Sequence, residues 1–177
     1  KVTVKNGIRI VEFPISGSGV SHFLGYDTAI AFEFSEIVKE YMQKEGVPDL
    51  LEAQEYGGIA YYVLQHKHLG YNLFDKLKVL ITIHAPSFVY HDYNHVPAYR
   101  LPYFWIGEME RWCIQAADKL NAPAQFIVNA LSKYMPQPFE KKIEIVPYPF
   151  RHKQPDLNYD YDPRSNWIFL GKLTVIS

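Results

Sequence analysis

The sequence predicts an α/β fold in which helices cover both faces of a Rossmann-like parallel sheet and an N-terminal β-hairpin precedes it. Short apolar segments alternate with stretches of ten or more residues at helical spacing, a pattern that predicts βαβ crossovers. The segment 78–83 is apolar from its second residue onward except for Thr82, as expected for a strand covered on both faces. Asn6 and Gly7 stand between two alternating segments, which predicts a hairpin with a two-residue turn.

The elements of the N-terminal half are identified by turn, cap and spacing signals. Glycine and serine are frequent in 14–25, which indicates a loop after the hairpin. Ile30 and Tyr41 belong to an apolar series at helical spacing that begins behind a cap at Asp27 or Thr28. The predicted elements are strands at 2–5 and 8–13, a helix up to Gly46, a strand at 49–53 and a helix at 59–69 that ends before Gly70.

The C-terminal half continues the alternation of strands and helices. Ile106 and Cys113 mark one face of a helix, and Pro123 stands near the first turn of another. The segment 85–103 is rich in Tyr, His and Pro and is predicted to be a loop. The predicted elements are strands at 78–83, 119–122, 143–146 and 167–170, helices at 106–120 and 126–134, and a polar linker at 155–166.

Composition and charge exclude several classes of protein. The 177 residues are 48% hydrophobic and 21% charged, which is the composition of a globular domain rather than of a disordered chain. A formal net charge of -1 leaves no excess of positive charge to bind a nucleic-acid backbone, so no nucleic acid is expected as a partner. The single cysteine, Cys113, cannot form an internal disulfide, and no apolar run reaches the ~20 residues that a membrane span needs.

The residues directly after each strand are the candidates for function, because ligands of parallel sheets bind beyond the carboxyl ends of the strands. The strand at 78–83 is expected to be central, between 49–53 and 119–122, and His84 follows it immediately. A histidine there can donate to a sugar hydroxyl or a phosphate oxygen, or act as an acid or base near neutral pH. His84 is therefore the candidate catalytic residue and Ser87 a candidate for substrate binding. The alternative for His84 is a structural role at the rim of the core.

A second candidate site is a strand-to-helix turn that contains Glu55, Tyr56, Gly57 and Gly58. The missing Cβ atoms permit close ligand approach, and free N–H groups at a helix start favour an anion or hydroxyl oxygens. These four residues are candidates for substrate binding, and a sugar phosphate would suit them. The alternative is a tight turn that needs positive φ at the glycines, and both interpretations stay open. The turn lacks the GxGxxG pattern of dinucleotide sites.

Other polar residues give less specific signals. Arg100 could clamp a phosphate or carboxylate with its planar guanidinium, or form an ion pair that fixes the loop. His91 and His95 have the spacing of zinc ligands on a helix, but the expected loop disfavours that geometry, so no metal site is predicted. The polar residues of the following helix are expected to form a solvated face: Glu108, Glu110 and Arg111.

Five motifs occur together along the chain. They are DLLEAQEYGG at 49–58, ITIHAP at 81–86, IQAAD at 114–118, IVPYP at 145–149 and IFLGKL at 168–173. In this order they resemble the GT-B glycosyltransferases of family 4, and the resemblance covers essentially the whole chain. It implies that 1–155 is most of the N-terminal, acceptor-side domain without its first strands. It also implies that 156–177 is a linker followed by the first strand of the C-terminal, donor-binding domain.

The resemblance implies transfer of a sugar from a nucleotide-sugar donor to a saccharide or lipid-linked acceptor in polysaccharide or glycoconjugate synthesis, with retention of anomeric configuration. In the family, the histidine at this strand end lies over the donor sugar, which matches His84. A Gly-Arg pair contacts the donor diphosphate, and the matching residues are Gly171 and Lys172. No metal or cofactor is expected, since the nucleotide sugar is a co-substrate. The expected location is the cytoplasm, with or without peripheral contact to the inner face of the membrane.

The chain also departs from the family pattern. Ala124 stands where the family usually has Ser, Tyr148 stands in a turn that usually contains Asn, and Lys172 replaces Arg. The family's glycine-rich loop and its donor-binding glutamates are not in this sequence, so the chain is expected to be an incomplete, inactive piece. The missing first strands would expose the sheet edge at 49–53. Self-association is therefore expected, or cover by the hairpin at 2–13.

Two other classes of function remain open. A non-catalytic sugar or sugar-nucleotide binding module is favoured by the departures from the family pattern. A metal hydrolase would use His84, His91 and His95 together and would need a bound ion.

Overall fold

The computed structural model describes residues 1–13, 23–136 and 139–149. These residues form an α/β fold with a parallel sheet flanked by helices and an N-terminal hairpin, so the predicted fold class is confirmed. The strands are β1 (Val2–Lys5), β2 (Ile8–Val11), β3 (Leu51–Gln54), β4 (Val79–Thr82), β5 (Lys119–Ala122) and β6 (Ile143–Ile145). The helices are α1 (Tyr26–Glu45), α2 (Tyr61–His68), α3 (Ser87–Tyr93), α4 (Tyr103–Ala116) and α5 (Gln125–Leu131), with short 3₁₀ helices at Tyr56–Gly58 and Phe139–Lys142.

The parallel sheet has the strand order β3-β4-β5-β6. Its register places Leu51 opposite Val79, Ile81 opposite Leu120, and Leu120 opposite Ile143. The predicted central position of β4, between β3 and β5, is confirmed. All strand pairs in this sheet are parallel, so their carboxyl ends meet at one edge.

The core is built around β4. Val79, Ile81 and Ile83 are completely buried, and Leu80 and Thr82 on the opposite face are only partly exposed. This pattern explains why the segment is almost uninterrupted apolar sequence, since helices cover a parallel sheet on its faces. Further fully buried side chains from the helices, from β5 and from the loop before β4 complete the core: Val63, Leu64, Leu77, Cys113, Ile114, Leu120 and Leu131.

The N-terminal hairpin is formed by β1 and β2. Asn6 and Gly7 have φ of 52° and 78°, as a type I′ turn requires, so the predicted hairpin is confirmed. The hairpin forms a sheet of its own, so the expectation that it covers the edge at β3 is wrong for the described residues. Its Arg9 guanidinium pairs with Glu45 of α1 at 2.8 Å. Self-association through the β3 edge stays a prediction.

The segment 85–103 is not one loop, contrary to the prediction. It contains α3, and α4 begins at its last residue, Tyr103. Pro86 and Pro102 directly precede the two helices, where a missing N–H is tolerated. Phe88 anchors α3 to the core, so tertiary packing decides the conformation of a segment with loop-like composition. The predicted helix at 106–120 and the predicted strand at 119–122 both included Leu120, and in the structure Leu120 lies in β5.

The chain divides into two compact units, Lys1–Pro147 and Tyr148–Ser177, and only the first two residues of the second unit are described. The expected linker at 155–166 and strand at 167–170 therefore lie outside the described residues, and the expected boundary at 155 stays a prediction. In the described part of the chain, no helix combines the length and the apolar character that crossing a membrane requires.

An ion pair fastens the amino end of the sheet. One carboxylate oxygen of Asp118, just before β5, accepts the backbone N–H of Val79 at 2.8 Å and also pairs with the ammonium of Lys67 on α2. Burial alone would raise the pKa of Asp118. The hydrogen bonds from Lys67 and Val79 outweigh burial and hold that pKa below its ordinary value.

Candidate functional site

An open cleft of about 600 Å³ lies at the carboxyl ends of β3 and β4, where a parallel sheet is expected to bind its ligand. Gln54 is the last residue of β3, and His84 stands just beyond β4. The first turn of α1 contributes Asp27, and the first turn of α4 contributes Tyr103. The remaining residues that line the cleft are Tyr56, Gly57, Ala85, Ser87, Tyr90, His91 and Ile106.

His84 is half-buried and lines this cleft, as the sequence predicts. Its backbone N–H donates to Glu55 Oε1 at 2.8 Å, and the N–H of Ala85 donates to the same oxygen at 2.7 Å. A side chain from the end of β3 therefore fixes the main chain at the end of β4. This contact limits where the imidazole of His84 can lie.

Glu55 lies behind the wall of the cleft and binds the main chain of two lining residues, His84 and Ala85. Its side chain is completely buried, and it is absent from the residues that line the cleft. Burial raises the pKa of Glu55, although the N–H groups of His84 and Ala85 stabilise the carboxylate and oppose the rise. Its second oxygen, Oε2, is buried and has no hydrogen-bond partner among the described residues. The structure thus places this candidate substrate-binding residue beneath the site.

Glu110 is a residue of the candidate site whose position the sequence prediction gave wrongly. It was expected on a solvated face with Glu108 and Arg111, but its exposed fraction is 0%, whereas the side chain of Glu108 is 48% exposed. On α4, Glu110 lies four residues after Ile106 and three before Cys113, so it shares their inward face. This spacing was the signal in the sequence that could have identified it.

The carboxylate of Glu110 joins the two segments that form the cleft. Its Oε1 accepts the N–H of Gly57 at 3.0 Å, and its Oε2 accepts the N–H and the hydroxyl of Ser87 at 2.7 and 2.6 Å. Burial raises the pKa of Glu110 to about 7, while these hydrogen bonds oppose the rise and nearby Glu55 adds to it. Glu110 therefore holds the turn after β3 against the first residue of α3.

The two glycines of the turn have different roles. Gly57 and Gly58 have φ of 66° and 63°, which other residues rarely adopt. A Cβ on Gly58 would lie 2.5 Å from Met109 Cβ, whereas one on Gly57 would meet nothing within 4 Å. The N–H of Gly57 is bonded to Glu110, and that of Gly58 donates to the carbonyl of Glu55 at 2.9 Å. The expectation that these N–H groups are free to bind an anion is therefore wrong.

The other predicted site residues are only partly brought together. Tyr56 is exposed and lines the cleft. Ser87 also lines it, but its hydroxyl donates to the buried carboxylate described above. Arg100 is exposed and does not line the cleft. Gly171 and Lys172, the expected contacts of the donor diphosphate, lie outside the described residues.

His91 lines the cleft, although the sequence analysis did not predict it there because it assigned the segment 85–103 to a loop. It lies on α3, its ring centroid is 4.6 Å from that of Tyr103, and burial lowers its pKa. His95 lies beyond α3 with a φ of 54° and does not line the cleft. Within residues 1–13, 23–136 and 139–149, no three His, Cys, Asp or Glu side chains are grouped so that they could hold a metal ion. The histidine triad that a metal hydrolase would need is therefore not formed there.

The cleft combines hydrogen-bonding side chains with aromatic rings. Two imidazoles, three phenols, a carboxylate and an amide line it: His84, His91, Tyr56, Tyr90, Tyr103, Asp27 and Gln54. Such side chains can exchange hydrogen bonds with sugar hydroxyls, and tyrosine rings can pack against the C–H face of a sugar.

Comparison with known proteins does not identify the family or the function of the chain. The chain matches no family model, no curated protein and no solved structure.

Proposed function

We propose that this chain is the acceptor-side part of a retaining glycosyltransferase that uses a nucleotide-sugar donor. The observation that carries the proposal is the position of His84, two residues beyond the end of the central strand and on the wall of a cleft of about 600 Å³. The acceptor is a saccharide or a lipid-linked sugar, and the product belongs to a polysaccharide or a glycoconjugate. The proposed reaction invokes no cofactor, because the nucleotide sugar supplies the transferred group.

The way in which the cleft is held supports a catalytic role. Glu55 fixes the main chain of His84 and Ala85, and Glu110 fixes Gly57 and Ser87. A site that is fixed before the ligand arrives does not have to be reorganised during the reaction. His84 is then positioned to hydrogen-bond the donor sugar and to polarise it as the leaving group departs.

The chemistry is a displacement at the anomeric carbon. The bond from this carbon to the diphosphate breaks, and the nucleoside diphosphate leaves with the electron pair. An acceptor hydroxyl bonds to the same face of the sugar and transfers its proton to the oxygen of the departing diphosphate. We assign Gly171 and Lys172 to the donor diphosphate on the basis of the family resemblance. The proposed location is the cytoplasm or the inner face of the membrane.

A non-catalytic sugar-binding module is the second candidate. Three tyrosines, Tyr56, Tyr90 and Tyr103, line the cleft, and aromatic walls are as useful for binding sugars as for transforming them. Ala124, Tyr148 and Lys172, which depart from the family pattern, favour this alternative. The two candidates differ in whether the donor is consumed.

A donor screen on the full-length protein separates them. Nucleotide release is measured with a panel of nucleotide sugars, and the anomeric configuration of the product is determined by NMR. We expect release with retention, and His84→Ala should lower turnover by ~10²-fold or more. His95→Ala, at an exposed histidine away from the cleft, is the matched control. Donor binding without release would favour the binding module, and full turnover in folded His84→Ala would contradict the assignment of His84.

A further inference from the structure

An apolar groove of about 240 Å³ lies between α3 and α5, next to the cleft. Its walls are almost wholly apolar, and they include Pro86, Val89, Tyr93, Phe126, Ile127 and Ala130. Ala85 and Tyr90 line both the groove and the cleft, so the two cavities share a wall directly after His84. A molecule that occupies both would have an apolar end in the groove and a polar end beside His84.

The size and lining of the groove indicate what it can hold. An apolar cavity of about 150 Å³ is large enough to bind benzene, so 240 Å³ accommodates a phenyl ring with its attachment point but not a long lipid chain. Phe126 is 69% exposed, and Tyr90 and Tyr93 are also exposed. Three aromatic side chains on the wall can pack against a bound ring in stacked or edge-to-face geometry.

We propose that this groove binds the aglycone of the acceptor and that the aglycone is a phenyl-sized aromatic ring, which narrows the acceptor from a saccharide or a lipid-linked sugar to an aryl glycoside. The proposal rests on the proposed glycosyl transfer, because it assigns the ring to the acceptor. With the ring between α3 and α5, a sugar attached to it lies along Ala85 and presents its hydroxyls to the cleft.

The test compares phenyl β-D-glucopyranoside with methyl β-D-glucopyranoside, titrated into the full-length protein and followed by NMR. The phenyl glycoside should bind at least tenfold more tightly, the effect of removing one aromatic ring from water, and should shift amide signals on α3 and α5. Phe126→Ala should reduce this preference to less than threefold. Tyr99→Ala is the matched control, because Tyr99 is 84% exposed and lines neither cavity.

Val89→Phe provides a second variant, since it fills the groove from α3 and should abolish the preference for phenyl. Equal affinities for the two glycosides would overturn the proposal, as would octyl β-D-glucopyranoside binding more tightly than the phenyl glycoside, which would identify a lipid chain as the occupant. The donor screen, run without any aryl acceptor, tests glycosyl transfer separately. Loss of the phenyl preference with intact nucleotide release would refute the aglycone site alone. A phenyl preference without nucleotide release would refute glycosyl transfer, and with it the assignment of the bound ring to an acceptor.

Discussion

At both ends of the parallel sheet a side-chain carboxyl group accepts backbone N–H groups, but the pKa values of these carboxyl groups shift in opposite directions. At the amino end, Asp118 accepts the N–H of Val79 and is paired with Lys67, and its pKa lies below the ordinary value. At the carboxyl end, Glu55 and Glu110 also accept backbone N–H groups, but neither belongs to an ion pair within the described residues, and their pKa values are raised.

The ion-paired carboxylate of Asp118 stabilises the fold, whereas the buried carboxyl groups of Glu55 and Glu110 hold the residues that form the cleft. A carboxylate with a cation partner is stabilised at neutral pH, whereas a buried carboxylate without one is costly there. Carboxyl groups with raised pKa values next to a cleft are typical of functional sites. The contacts of Asp118 therefore stabilise the amino end of the sheet. At the carboxyl end, the buried Glu110 lowers stability at neutral pH but holds the turn after β3 and the start of α3 in place beside the cleft.

Removing the carboxyl group of Glu110 should have the largest effect on stability. Glu110→Ala leaves two backbone N–H groups and the hydroxyl of Ser87 without their acceptor. At ~1–3 kcal/mol for each buried unsatisfied group, we expect the free energy of unfolding to fall by about 4 kcal/mol at mildly acidic pH. The measurement is denaturant unfolding, with Glu108→Ala on the exposed face of the same helix as control. Equal losses in the two variants would contradict the role of Glu110.

The pH dependence of stability should reveal the buried charge. The folded pKa of Glu110, about 7, lies above the ordinary value of 4.5, so its contribution is fully present below pH 4.5 and is lost as the pH rises through 7. At ~1.4 kcal/mol per pKa unit, wild type should lose about 3 kcal/mol over this window that Glu110→Gln does not lose. Unfolding curves of both proteins between pH 4.5 and 8 would measure the difference.

The opposite end of the sheet supplies the control for this experiment. The pKa of Asp118 is lowered, so its stabilisation is present above the ordinary aspartate pKa and is lost as the pH falls through the folded value. Asp118→Asn should therefore lower stability at neutral pH and match wild type in acid. Parallel pH profiles for the Glu110 and Asp118 variants would refute the contrast between the two ends.

The two glycines of the turn offer a comparison inside the carboxyl end itself. Positive φ would strain a side chain at either position, which costs ~1–2 kcal/mol, but only a Cβ added to Gly58 would come within 2.5 Å of Met109 Cβ. Gly58→Ala should therefore lose about 3 kcal/mol of stability and Gly57→Ala about 1 kcal/mol. Thermal unfolding of both variants checks the order, and a larger loss for Gly57→Ala would be incompatible with this packing.

Periodicity and turn chemistry predicted the sheet. The apolar run of β4 and the Asn6-Gly7 turn are local signals, and both predictions are confirmed. His84 was also found from sequence, because strand ends carry ligands in this architecture. Glu110 was not found, since a carboxylate among charged neighbours usually faces water, and its burial depends on partners 23 and 53 residues away. Helix α3 was missed because packing, rather than local composition, stabilises it.

The most direct test of the central claim, that the carboxyl end of the sheet is the ligand site, uses the histidines as reporters. Their ring signals are followed by NMR while the full-length protein is titrated with the nucleotide sugar selected by the donor screen. His84 and His91 line the cleft, whereas His68 lies at the amino end, bonded to the carbonyl of Ala116. We expect the signals of His84 and His91 to shift and the signal of His68 to stay unchanged. Saturable shifts confined to His68, with His84 and His91 unchanged, would contradict a ligand site at the carboxyl end of the sheet.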